Sequence, residues 1–124
     1  MEVHMIKDNK NIGNYGEDLA LNFLKNKNHI ILARNFRIRR GEIDIISKID
    51  DILVFTEVKT RYNKTFGLPL ESINCSKIKT IKLIASYFIQ NKKLYYLNVR
   101  FDVIEIYLNY YDESFKVNYI ENAF

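Results

Sequence analysis

This chain of 124 residues is poor in the residues that most metal and cofactor chemistries require. Cys75 is its only cysteine and His4 and His29 are its only histidines, so neither an internal disulfide nor a Cys/His zinc cage can be assembled. The four glycines, at 13, 16, 41 and 67, never fall at the spacing of a phosphate-cradling loop or a dinucleotide fingerprint, which leaves no support for an NTPase or a Rossmann protein. Long apolar runs are missing as well. Stretches such as Ile52-Leu53-Val54-Phe55 are four residues long, against the roughly 20 that a membrane-spanning helix needs. Glu2, His4, Lys7 and Asp8 open the chain with no apolar core behind them, so the sequence predicts no secretory signal, no membrane partner and a cytoplasmic location. Any metal would have to be held by carboxylates, the ligands that hard cations such as magnesium and manganese prefer.

What is present suits one soluble globular domain, with 48% hydrophobic and 27% charged residues and a net charge of +4. Residues 1–12 are polar and aperiodic and are expected to form a flexible lead-in, with residues 13–124 as the single domain. Asn14, with Glu17 three positions on, has the layout of a capping box. Leu19, Ala20, Phe23 and Leu24 then form an apolar stripe at helical spacing that ends near Asn28. Residues 30–36 read as a strand. Alternation through Ile43, Ile45 and Ser47, a turn at Asp50-Asp51 and a return over 52–60 read as a hairpin. Gly67 and Pro69, the one proline, mark residues 62–70 as a loop. A second amphipathic helix is expected over 75–90, with Cys75 as a small buried hydrophobe at its start, and strands over 99–108 and 115–120. The order α-β-β-β-α-β-β favours an α/β or α+β layer fold.

On the third strand Glu57 and Lys59 are two apart and share a face, as Glu42 and Asp44 do on the neighbouring strand. Pairing about Asp50-Asp51 sets Asp44 and Glu57 at adjacent levels of the ladder, so two acids and an ammonium converge. Like charges held together cost energy unless a cation lies between them, and a divalent metal converts that cost into a binding site. Magnesium or manganese on Asp44 and Glu57 would suit phosphodiester hydrolysis, with Lys59 orienting water or stabilising transition-state charge. The competing reading makes these residues the solvated face of a half-covered sheet, joined in ordinary cross-strand pairs. Against it, the acids interrupt an otherwise strongly apolar hairpin.

Asn14-Tyr15-Gly16-Glu17, Arg34-Asn35-Phe36-Arg37, Arg40-Gly41-Glu42-Ile43-Asp44, the run from Val54 to Arg61, Phe66-Gly67 and Arg100-Phe101-Asp102-Val103 together resemble the YraN-type family of small bacterial proteins. That family is similar to the PD-(D/E)XK superfamily, whose restriction-endonuclease-like core is shared by archaeal Holliday-junction resolvases. The resemblance covers residues 13 to about 108. It implies a mixed central β-sheet flanked by helices and a metal-dependent DNA endonuclease, with branched or structured DNA among its substrates. Asp44, Glu57 and Lys59 take the places of the motif aspartate, acid and lysine, although Ile43 stands where the motif name has proline. Glu17 resembles the additional acid of resolvases, and capping remains its alternative role.

Arg34, Arg37, Arg39 and Arg40 lead into the Asp44 strand, and Arg61 and Lys64 follow the Glu57 strand. Arginine forks suit phosphate, so these cations, with Lys77 at the start of the second helix, are the candidate nucleic-acid contacts. A solvated basic loop is the alternative. Glu42 is expected at the rim, and Asp102 is expected to pair with Arg100 or cap the sheet edge. The tyrosine pairs Tyr95-Tyr96 and Tyr110-Tyr111 would stack bases, pack cores or line the face of a homodimer. Beside the endonuclease stand two rivals: a nucleic-acid-binding module without turnover, and an interaction subunit of a DNA-processing assembly.

Overall fold

A computed structural model describes residues 9–62 and 74–124 of the chain. Lys64, most of the loop expected over 62–70 and the first eight residues of the expected lead-in lie outside the described residues. The elements are α1 (Asn9–Asn26), β1 (Ile30–Ile38), β2 (Gly41–Ile49), β3 (Ile52–Tyr62), α2 (Cys75–Lys92), β4 (Asn98–Leu108) and β5 (Phe115–Ile120). The strands form one mixed sheet in the order β1-β2-β3-β4-β5, parallel only between β3 and β4, where α2 makes the crossover. This is the α/β order that the sequence predicts.

Apolar spacing decides which face of each helix is buried. On α1, Ile12, Ala20 and Leu24 fall on one stripe and join Ile45, Ile104 and Ile106 under one face of the sheet. Gly16 lies on the same stripe, where a Cβ would come within 1.8 Å of the Thr60 hydroxyl. Its missing side chain lets α1 lie directly on β3. On α2, Ile81, Ile84, Ala85 and Phe88 cover the other face against Ile43, Ile46, Leu53 and Phe55. The helix ends follow local chemistry. Asn74 accepts the Lys77 amide at the start of α2, and Asn28 takes φ 72° after α1. There the Asn28 and His29 amides return to the Lys25 and Leu24 carbonyls in a Schellman pattern.

Two local expectations are corrected. Helix α1 starts at Asn9, inside the stretch expected as lead-in, so Asn14 lies within the helix and Asn14 and Glu17 form no capping box. Residues 12, 16, 20 and 24 recur every four positions, and that longer stripe outweighs the local capping layout. Cys75 is exposed rather than buried, as are its neighbours Asn74, Ser76 and Lys77 at the start of α2.

Candidate active site

The β2–β3 ladder follows the Asp50-Asp51 turn, with Asp50 at φ 51°, and runs from Ile49↔Ile52 to Ile45↔Thr56. Beyond that point β3 continues to Tyr62 alongside β4. The departure coincides with an irregularity in β2. Ile43 packs with the α2 cluster and Ile45, two residues on, with the α1 cluster, so the strict alternation of a strand breaks around Asp44. One further step of the register would set Asp44 opposite Glu57, directly facing rather than one level apart. The Asp44 Oδ2 accepts the Val58 amide at 2.8 Å, a side chain standing in for the lost ladder bond.

Asp44 and Glu57 are each only 8% exposed and share a hydrogen bond. Burial above all, then the hydrogen bond and charge of Glu57, push Asp44 up to about 8 from an ordinary value of 3.8, while the Val58 amide opposes the rise. Asp44 therefore holds its proton at neutral pH. Lys77, on the first turn of α2, places Nζ 2.6 Å from Glu57 Oε2. Burial lowers the Lys77 pKa, but the hydrogen bond and charge of Glu57, with Asp44 and Glu42 behind it, outweigh burial and leave it raised.

These groups line a cleft of about 560 Å³ into which Lys59, Arg61, Gly13 and Glu17 also face. The cleft lies between the N-terminal part of α1 and the first turn of α2, at the end of the β2–β3 ladder. Among the described residues Lys59 has no ion-pair partner. Glu17 has a raised pKa because burial outweighs the nearby Arg34 charge and the Asn35 hydrogen bond. It is near enough to act on Asp44 electrostatically. Among the described residues, no three carboxylate, histidine or cysteine side chains form a ready metal cage. Two buried, adjacent carboxylates in an open cleft nevertheless fit magnesium or manganese, which take one or two protein carboxylates and complete their shell with water and phosphate oxygens.

The basic residues separate into two groups. Arg34 binds Asp18 at 2.7 Å and approaches Glu17 at 3.7 Å, which ties β1 to α1. Arg37 is held by Glu42 at 2.8 Å, and the Glu42 charge also acts on Glu17 and Lys77. Arg39 and Arg40, on the turn after β1, are exposed and have no carboxylate partner among the described residues. Asp102 pairs with Arg100, as expected. Of the tyrosine pairs, Tyr95, Tyr96 and Tyr111 are exposed, while Tyr110 packs on Tyr62 and Tyr111.

The sequence reading missed two features. Glu105 is 1% exposed, stands beside Lys59 in the β3–β4 register and accepts a hydrogen bond from Asn118 at 2.7 Å. It interrupts an apolar strand as Glu57 does, so the same signal would have found it. Tyr87 and Phe36 form an aromatic wall beside Arg39 and Arg40. Helical spacing alone does not bring them to that turn.

Fold and cleft define an α/β protein with a buried acid pair, flanked by lysines, at the break between two central strands. Residues 16–106 match the model of a family described as uncharacterised protein family UPF0102, and the chain belongs to that family. A UPF0102 protein of Clostridium novyi (strain NT) is 52% identical over 120 residues, which cover 97% of this chain and 100% of the relative. Another, from Clostridium botulinum (strain Alaska E43 / Type E3), is 53% identical over 97% of this chain and 98% of its own length. A more distant one from Dictyoglomus turgidum is 44% identical over 94% and 99%. No described helix is long and apolar enough to cross a membrane.

Proposed function

We propose that this protein is a divalent-metal-dependent endonuclease that hydrolyses phosphodiester bonds in DNA, including branched or structured DNA. The observation that carries this reading is the burial of Asp44 against Glu57 in a cleft that Lys59 also lines. A fold gains nothing in stability from burying two acids against each other, and a site that must attract a dication does gain from it. Magnesium or manganese, when bound, supplies Lewis acidity toward the phosphoryl oxygen and makes water more acidic.

The chain's own groups divide the remaining work. Asp44 and Glu57 would hold the cation through their carboxylate oxygens. The Val58 amide fixes the Asp44 carboxylate, so the ligand geometry is set before substrate arrives. Lys59 orients the attacking water and stabilises charge developing on the phosphate. Lys77, which pairs with Glu57 in the metal-free protein, would be free to meet a phosphate oxygen where a cation took its place. Glu17 keeps the potential of the cleft negative. Arg39, Arg40 and Arg61 contact the DNA backbone, where phosphate neutralisation supplies most sequence-independent affinity.

The test is a panel of single-stranded, duplex, flap and four-way DNA incubated with magnesium or manganese. Wild-type protein should cleave at least one member. Asp44→Asn and Glu57→Gln should each lose cleavage and calorimetric metal binding together. Wild-type protein that binds DNA but cuts no member with either metal would make it a binding module.

A further inference from the structure

Resting on the nuclease reading, we propose that the cleft between the β1–β2 turn and the C-terminal half of α2 receives an unpaired nucleotide of the DNA substrate. Tyr87 and Phe36 would supply the stacking surface, and Arg39 and Arg40 the phosphate contacts. The cleft measures about 540 Å³ and is lined by these four residues with Arg37, Ile38 and Asn91. That is within the range of small-ligand pockets.

Tyr87 is 52% exposed, although it sits one position before the buried Phe88 on α2. Its ring lies 6.4 Å from that of Phe36 at 33°. Phe36 in turn packs edge to face on Phe88 at 5.0 Å, which ties the exposed ring to the core. A ring backed in this way offers a rigid face at little entropic cost, as base stacking requires.

The charges beside this wall have one sign once the ion pairs are assigned. Glu42 neutralises Arg37 at 2.8 Å. Arg39 and Arg40 are left as exposed forks without acidic partners among the described residues. Asn91 is exposed at the end of α2 and adds an amide that can both donate to and accept from a base edge. Stacking surface, bare forks and an amide together match an unpaired nucleotide better than a purely apolar or purely acidic partner.

Two elements lead from this cleft to the acid pair. Arg40 precedes Asp44 by four residues of nearly continuous strand, roughly 13 Å. Tyr87 follows Lys77 by ten residues of helix, about 15 Å. The separation is a few nucleotides of single strand. A substrate with unpaired residues near the cut could therefore occupy both sites at once, which a blunt duplex could not.

Fluorescence anisotropy in metal-free buffer tests this with a short oligothymidylate, a duplex bearing a single-stranded tail, and a blunt duplex. Tyr87→Ala should lower the affinity ratio of oligothymidylate or tailed duplex to blunt duplex by about tenfold, while Tyr87→Phe should keep the wild-type ratio. The double variant Arg39→Ala/Arg40→Ala should reduce the salt slope of oligothymidylate binding by about 1.4. An unchanged ratio in Tyr87→Ala, with circular dichroism like the wild type, would overturn the proposal even if the wild type cleaves DNA. Conversely, Tyr87-dependent binding by a protein that cuts nothing would support the cleft and remove the nuclease.

Discussion

Asp102 and Asp44 are both buried acids of the central sheet, yet the first is surrounded by donors and the second by another acid. Asp102 is fully buried and takes both Arg100 Nε and Nη2 at 2.9 Å, the Tyr119 hydroxyl and the Asn122 amide. The Asp102 hydrogen bond and charge raise the Arg100 pKa, and burial followed by Asp102 raises that of Tyr119. Asp44 has one amide donor and Glu57 beside it. One site satisfies its charge with four donor atoms; the other keeps charge in reserve. The difference teaches that acidic burial in this fold is structural where donors converge, and a candidate for chemistry where they do not.

The sharpest way to break the comparison is at its satisfied end. Asp102→Ala leaves Arg100, Tyr119 and the Asn122 amide without their acceptor and should destabilise the protein by about 3–5 kcal/mol in urea unfolding. A loss below about 1 kcal/mol would mean that the network is not structural. The next largest effect belongs to the cleft and should leave stability alone. Lys59→Ala should lower turnover by roughly two to three orders of magnitude while metal binding and the unfolding midpoint stay near wild type. Full activity in that variant would return Lys59 to an ordinary strand lysine.

Both clusters were visible in the sequence to different depths. Asp44 and Glu57 stand out because they interrupt apolar strands joined by the Asp50-Asp51 turn, and a hairpin's register follows from its turn. Glu105 carries the same signal, but its hairpin partner β5 sets Asn118 opposite it, so no second acid marks a convergence. Long-range pairing is the general reason for what was missed. The parallel β3–β4 ladder joins residues more than forty positions apart, and no local pattern specifies it. Arg34 looked like a phosphate contact until the packing of α1 on the sheet brought Asp18 against it. The start of α1 is hard to read locally, because the capping layout at Asn14 and Glu17 competes with an apolar stripe that has a glycine in it.

A third prediction concerns the cost of the unsatisfied pair. Because the folded Asp44 pKa is raised from 3.8 to about 8, the folded chain binds more protons than the unfolded chain between those values. Its contribution is thus fully present below about pH 4 and is lost as pH rises through 8. Metal-free protein should lose stability in that window. Asp44→Asn resembles the protonated acid, since its oxygen can still accept the Val58 amide and its NH2 can donate to Glu57. That variant should be more stable than wild type at pH 8, by on the order of 2 kcal/mol, while failing to bind metal. Thermal unfolding with a chelator present, from pH 5 to pH 8, measures both effects. A flat wild-type profile and a destabilised Asn variant would show that the pair is an ordinary ion-paired cluster.

The smallest expected effect distinguishes Lys77 from the arginine that satisfies Asp102. Arg100 is held in a two-pronged contact and its side chain is only 18% exposed, whereas Lys77 makes its contact with Glu57 from a side chain 45% exposed. An exposed ammonium is screened and easily replaced, so it can occupy Glu57 in the absence of metal and yield to a dication. Replacing Lys77 by Met keeps the chain length and removes the competing charge. Calorimetric titration should then show magnesium or manganese binding roughly threefold more tightly, because Lys77 no longer has to leave first. Weaker metal binding in Lys77→Met would reverse the assignment, making the lysine a group that organises the acid pair rather than one that stands in for the cation.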